Sequence, residues 1–286
     1  MLRILATLFA ALFGLAFGSF LNVCLSRWPH GESIVYPHSH CRTCDRPLKW
    51  WENIPVFSWM ALRGRCRTCR ALIGWRYTLV EASVSILWAT CAWRSLSALP
   101  DPSVTLTFSS AFLLSGLAAA TLMWLLVALA VLDAENLWLP DFLTLPGVAL
   151  GLLFRTAERI LGNHYFRLPP LGVILLNVEY IVAAAALILL IRGVYWLIRR
   201  QEGIGLGDAK LMAMLAAWLG LPGALLAFFF GVIIGALFSI PALIAGGGKH
   251  AGGMKLPLGT FLCIGGIVSA LWGHPILASY LAWAGF

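Results

Sequence analysis

Apolar runs long enough to cross a hydrocarbon core, which needs about 20 residues, begin near Ile4, Tyr77, Val104, Phe142, Leu171, Gly207, Leu221 and Leu258. Between them they leave little room for a water-soluble core. Charged residues make up 11% of the 286, where a soluble domain holds roughly a quarter. The fold class expected is therefore an all-α polytopic membrane protein with about eight transmembrane helices. Boundaries in the second half are the least defined, because Gly and Pro interrupt the runs and a bundle tolerates broken helices whose backbone groups neighbours satisfy.

The first run, Ile4 to Leu25 behind Arg3, has the basic start of a secretory signal but a longer apolar centre and no convincing small-x-small cleavage site. It is read as the first transmembrane helix, residues 1–26. Residues 27–76 form a polar insertion, and 77–286 carry the rest of the bundle.

Basic loops stay in the cytoplasm. Nine of the 20 Lys and Arg lie between Arg27 and Arg76. With alternate crossings, Arg192, Arg199, Arg200, Lys210, Lys249 and Lys255 fall on the same face, against Arg3, Arg94, Arg155, Arg159 and Arg167 on the other. The insertion is thus expected in the cytoplasm. The net charge of +8 is mostly topological, and without an aromatic and basic platform or a folded soluble domain there is no basis for a nucleic-acid partner.

The insertion carries CRTC twice, as Cys41 with Cys44 and Cys66 with Cys69, with 21 residues between the pairs. Two residues between ligands let one tight turn aim both sulfurs at one ion, and two such knuckles close a tetrahedral shell. A closed shell leaves no position for water, so the expected metal is a structural Zn2+. Two disulfides are the competing reading, which a reducing cytoplasm disfavours. Without metal the segment has little core beyond Trp50, Trp51, Ile54, Val56, Phe57 and Trp59. His38 and His40 read as surface histidines. Cys24, Cys91 and Cys263, isolated in apolar runs, read as small packing residues.

Ionisable groups in or beside a membrane tend to mark function. Asp133 follows the run ending at Leu132, and Asp208 opens another in GIGLGDAK, so both are expected at the cytoplasmic face. Two carboxylates in a poorly solvated place cannot easily both ionise. One keeps its proton as an acid while the other serves as base toward water, which is aspartic-peptidase chemistry. Gly203, Gly205 and Gly207 strip side chains from the loop so that backbone, carboxylate and an extended peptide can approach. Lys210 would not face Asp208 on a helix and is expected to snorkel toward lipid headgroups. Asp141 reads as a helix cap and Glu135 as a solvated loop charge. Glu81 and Glu179 read as partners of polar groups inside the bundle, with Glu81 a link to the cysteine segment. The glycine loop misses the phosphate-loop pattern. Spacing and topology alone leave a hydrolase and a proton-coupled transporter as alternatives, with a zinc-bearing secretion scaffold a third.

The motifs resemble those of the type IV prepilin peptidases, the prepilin leader peptidase/N-methyltransferases of type IV pilus and type II secretion systems. The resemblance covers nearly the whole chain: GSFLNVCLSRWP (Gly18 to Pro29), the paired CxxC with ENIP between them, RGRC, RYTLVE (Arg76 to Glu81), LDAENLWLPD (Leu132 to Asp141) and GIGLGDAK (Gly203 to Lys210). The last is similar to the GxGD signature of intramembrane aspartyl peptidases. The resemblance places the catalytic pair on Asp133 and Asp208, in a bacterial inner-membrane enzyme with active site and zinc insertion on the cytoplasmic side. It implies cleavage of the basic leader of prepilins or pseudopilins after a glycine, then methylation of the new N-terminus from S-adenosyl-L-methionine. It also associates Gly18, Ser19, Asn22 and the four cysteines with methylation; no Rossmann-type methyltransferase fingerprint is visible. A glycine is expected before the cut because any side chain there would meet the Gly203 to Gly207 loop. The family often has Pro where this chain has Thr78 and Thr260, and neither position is expected to touch the acid pair. The stretch between Pro29 and Cys41 is short. The oligomeric state and the particular pilin are left open.

Overall fold

The computed structural model describes residues 1–97, 110–161, 169–201, 203, 205–245 and 256–285. It is helical nearly throughout: α1 (Leu2–Arg27), a short α2 (Phe57–Ala61), α3 (Arg76–Ser97), α4 (Ser110–Asn136), α5 (Asp141–Leu161), α6 (Pro170–Arg199), α7 (Leu206–Ala245) and α8 (Leu258–Ala284). Among the described residues, five segments are long and apolar enough to cross a membrane: Arg3–His30, Phe112–Asn136, Pro170–Arg199, Leu206–Ile240 and Leu258–Ala284. That is fewer than the eight expected. Helix α3 holds Arg76, Glu81 and Arg94, and α5 holds Asp141, Arg155, Glu158 and Arg159, so both are more polar than their length suggests. The runs expected to start at Gly207 and Leu221 are the two helical stretches of α7, which Gly220 divides. The start near Val104, and Arg167, Lys249 and Lys255, lie outside the described residues.

The chain divides into two compact units, Met1–Ser109 with Ala119–Ala128, and Ser110–Ala118 with Leu129–Phe286. In the first, α1 and α3 pack antiparallel. Arg3 Nη2 donates to Leu96 O (3.3 Å) at one end, Ser85 Oγ donates to Ala11 O (2.9 Å), and Asn22 Nδ2 donates to Tyr77 O (2.8 Å) at the other. Gly14 and Gly18, one turn apart, set the separation: a Cβ there would lie 2.6 Å from Ser85 Cα and 2.7 Å from Glu81 Cα. Small residues at this spacing let membrane helices touch backbone to backbone.

In the second unit, α7 carries much of the core, with Leu211, Met212, Met214 and Leu215 fully buried. It packs closely on α8, where a Cβ at Gly265 would lie 2.1 Å from Ala227 O. At the break, Gly220 has φ 75° and ψ 173°, a conformation in effect reserved for glycine. Arg155 of α5 fills the gap, its Nη1 donating to Trp218 O at 2.9 Å. That bond satisfies a carbonyl the broken helix releases. Large apolar side chains along α1 and α6, such as Leu8, Phe9, Leu175 and Leu190, remain more than half exposed, as a lipid-facing surface would.

Candidate active site

Asp133 lies in the last turn of α4 and is 6% exposed. Its Oδ2 accepts the Thr260 N–H at 2.6 Å and lies 3.1 Å from the Thr260 hydroxyl, which also lies 3.0 Å from Ala130 O. The first N–H groups of a helix have no partner within it, so Asp133 caps α8 from a different helix. This corrects the expectation that Thr260 stands clear of the acid pair. Proline there would have no N–H to give.

Asp208, 7% exposed, is the third residue of α7, and its Oδ2 turns back to accept the Gly205 N–H at 3.1 Å. An acid three residues into a helix is well placed for that bond. The two acids meet around shared neighbours. Leu139 touches the position of a Cβ on Gly207, next to Asp208, at 3.1 Å, and that of a Cβ on Gly259 at 2.9 Å. The Gly259 position is also 3.0 Å from Asp133 Cγ. Asp208 lies within range of the Asp133 charge, and the fully buried Cys263 within range of both.

The loop glycines divide by cause. A Cβ on Gly203 would strike the Tyr195 ring at 2.5 Å, and one on Gly207 would crowd Leu139, whereas one on Gly205 would meet only Asp208 Oδ2, at 3.4 Å, and Gly207 N. Packing inside the protein thus accounts for Gly203 and Gly207, whereas Gly205 would take a Cβ at ordinary contact distance from Asp208. Lys210 does not reach for headgroups alone: its Nζ donates to Asp141 Oδ1 at 2.5 Å, tying α7 to the start of α5. Nothing in local spacing could signal these contacts, since their partners lie 69 and 127 residues apart in sequence.

In the first unit the four CRTC sulfurs lie within 4.8 Å of one another. The two knuckles repeat one geometry. The Cys41 N–H donates to Arg46 O (2.9 Å) and the Cys66 N–H to Ala71 O (2.8 Å), with Asp45 and Arg70 at positive φ in equivalent places. Cys41 Sγ and Cys69 Sγ are 3.7 Å apart. Ligands about 2.3 Å from a tetrahedral zinc lie roughly 3.8 Å from each other, whereas a disulfide needs about 2.05 Å. The cluster therefore fits a metal ion. The N–H groups of Thr43 and Cys44 lower the Cys41 thiol and those of Cys69 and Thr68 hold Cys66 down to about 6, whereas at Cys69 the lowering by the Ala71 backbone is outweighed by burial and the three neighbouring sulfurs, which push it up to about 11. Glu52 of the ENIP motif braces the knuckles. It accepts a two-bond fork from Arg46 (2.9 and 2.8 Å) and the Lys49 N–H (2.9 Å). The Arg46 guanidinium, aided by that N–H, lowers its carboxyl to about 2.

Beside the knuckles is a cavity of about 530 Å³ lined by Ser19, Asn22, Glu52, Trp59, Thr78 and Glu81 among others. Its size suits a small organic ligand. Asn22, 3% exposed, leaves Oδ1 without a partner among the described residues, as does Thr78 its hydroxyl. Buried polar atoms are rarely left so, and the pair marks the cavity as fit for a polar ligand. Gly18, Ser19 and Asn22 were expected together, and the structure sets all three beside Glu81, with Gly18 admitting its backbone and the polar side chains of Ser19 and Asn22 close enough to favour its ionised form. Glu81 Oε2 also accepts the Val56 N–H at 2.7 Å, the link to the cysteine segment foreseen for it. Val56 is held at φ 62°, ψ −52°, with the Phe57 N–H on Pro55 O at 2.6 Å. This is a γ-turn of the positive-φ kind, strained for a β-branched residue by about 1–3 kcal/mol.

A helical membrane protein with a convergent acid pair in one unit and a tetrathiol cluster beside a polar cavity in the other is a narrow class, and comparison with known proteins assigns it. The model for the bacterial peptidase A24 N-terminal domain matches residues 12–95, and that for the type IV leader peptidase family matches 120–240. Proteins named prepilin leader peptidase/N-methyltransferase are similar along almost their whole length. That of Aeromonas salmonicida is 34% identical over 95% of this chain and 92% of its own. Those of Stutzerimonas stutzeri and Pseudomonas aeruginosa are 33% and 32% identical, each over 96% of this chain and 93% of theirs. No solved structure matches. The chain belongs to the type IV leader peptidase family.

Proposed function

We propose that this protein is an inner-membrane aspartyl endopeptidase that removes the basic leader of type IV prepilins or type II secretion pseudopilins and methylates the new N-terminus. The observation that carries the reading is the convergence of two buried acids, 75 residues apart in sequence, on Leu139 and Cys263. Its place on the cytoplasmic side rests on the distribution of Lys and Arg.

In hydrolysis a water sits between Asp133 and Asp208. One carboxylate takes its proton as the oxygen attacks the scissile carbonyl carbon, and the other carboxyl gives a proton to the carbonyl oxygen. The diol then collapses: one hydroxyl returns its proton to the carboxylate that gave one, the C–N bond breaks, and the leaving nitrogen takes a proton from the other carboxyl, so the pair returns to its starting state. Thr260 fixes the carboxyl of Asp133 and the Gly205 N–H that of Asp208. Glycine before the cut fits a loop in which Gly205 lies against Asp208, with a Cβ on it only 3.4 Å from Oδ2, so that a substrate side chain would compete for the space beside the acid. Bulky residues cleaved at the glycine rate would contradict this.

For methylation, S-adenosyl-L-methionine supplies an electrophilic methyl group when bound. Asn22 Oδ1 and Thr78 Oγ1 are the atoms available to hold it, in a cavity walled by the zinc-bound knuckles. The thiolates hold Zn2+ structurally, so purified protein should contain one zinc per chain, and Cys44→Ser should lose it. The test of the whole reading is protein in detergent incubated with a prepilin, with mass spectrometry following leader loss and the added methyl. Solute flux without leader loss would favour a transporter.

A further inference from the structure

Four carboxylates are buried among the described residues: Glu52, Glu81, Asp133 and Asp208. Glu52 is matched by Arg46, and the aspartates form the hydrolytic pair. Glu81, 8% exposed, has no assigned task and no cationic side chain against it among the described residues. Its Oε2 accepts the Val56 N–H, and the polar side chains of Ser19 and Asn22 lie beside it. These suit an ionised acceptor, but burial works against a lone negative charge. The Val56 bond, at 2.7 Å, comes from a strained residue, and strain of this kind gathers at ligand sites. The carboxylate lines the 530 Å³ cavity together with the orphaned Asn22 Oδ1.

We infer that Glu81 is the anionic subsite of this cavity and receives the organic monocation of the methyl-transfer reaction. The inference rests on the methyltransferase reading of the first unit. Two sources share the chemistry: the sulfonium of the methyl donor and the N-terminal ammonium of the trimmed pilin. Each carries one positive charge beside apolar atoms, which a half-occupied acceptor set and the Trp59 wall can accommodate.

Equilibrium binding to the full-length protein in detergent separates the sources and needs no turnover. One arm compares S-adenosyl-L-methionine with S-adenosyl-L-homocysteine, its neutral thioether. The other compares a trimmed pilin peptide bearing a free N-terminus with the same peptide acetylated. The inference expects at least one arm to favour the cation by about tenfold or more, the size of a charge-assisted contact. Glu81→Gln should bring that ratio near one, and Glu81→Asp should keep most of it. If neither arm favours the charged form in the unaltered protein, the inference is overturned whether or not a variant folds. A preference that survives Glu81→Gln overturns it as well. If the unaltered protein neither binds the donor nor methylates a trimmed pilin, the methyltransferase reading itself fails, a result distinct from the other two.

Discussion

Gly259→Ala places one methyl group against the acid pair. The new Cβ would sit 3.0 Å from both Cγ and Oδ2 of Asp133 and 2.9 Å from Leu139 Cδ1, where carbon contacts settle at about 3.5–4.0 Å. Leu139 can swing its end away. Asp133 cannot do so freely, because its Oδ2 is held by the Thr260 N–H at 2.6 Å. Nor can α8 back off, since Gly265 is pressed against the Ala227 carbonyl. The carboxyl therefore has to move by roughly half an ångström. Overpacking of this kind costs about 1–3 kcal/mol of stability, and a misplacement of about 1 Å costs on the order of a hundredfold in rate. A fall of about tenfold in kcat for leader removal is expected at half that displacement, with the protein still folded. The assay is cleavage of a prepilin by purified protein, with thermal unfolding measured on the same preparations. Full kcat in a folded Gly259→Ala protein would refute the geometry.

Gly205→Ala adds a Cβ at ordinary contact distance, 3.4 Å, from Asp208 Oδ2; it should leave the unfolding temperature almost unchanged yet lower kcat/KM for cleavage, as a peptide titration would show. Gly18→Ala forces α1 away from the Glu81 backbone, 2.7 Å from the new Cβ, so methylation of a trimmed pilin should fall more than leader removal, read by mass spectrometry on separate substrates. Because Arg46 depresses the Glu52 carboxyl to about 2 from an unperturbed 4.5, the fork stabilises the folded form fully above about 4.5 and loses that contribution as pH falls toward 2. The difference in thermal stability between the unaltered protein and Glu52→Gln should accordingly be full at neutral pH and shrink on acidification through that window.

What the sequence made legible was whatever depends on near neighbours. Helix starts near Ile4, Tyr77, Phe142, Leu171 and Leu258 follow from apolar runs, and the four sulfurs gather because each CRTC turn is built within five residues. The number of spans was less legible, because the polar residues of α3 and α5 sit among apolar ones, whereas the division near residue 220 follows from a glycine at non-helical φ and ψ. Contacts that couple distant residues were also hidden. Thr260 reads as a departure from a familiar proline and proves to grip Asp133; Lys210 reads as a lipid anchor and pairs with Asp141. The glycines of the Asp208 loop look alike in sequence, yet Tyr195 and Leu139 account for two, while Gly205 lies against Asp208. The link from Glu81 to the cysteine segment was anticipated, but the cavity it lines was not.

Whether Asp133 and Asp208 act as one hydrolytic unit is tested most directly by leader removal with purified Asp133→Asn and Asp208→Asn proteins. A trimmed pilin offered to the same preparations serves as the test of methyl transfer. Each variant is predicted to lose cleavage by about a thousandfold or more, as paired acid–base groups do, while still transferring the methyl group. Cleavage by either variant within about tenfold of the unaltered rate would contradict the paired action of the two acids.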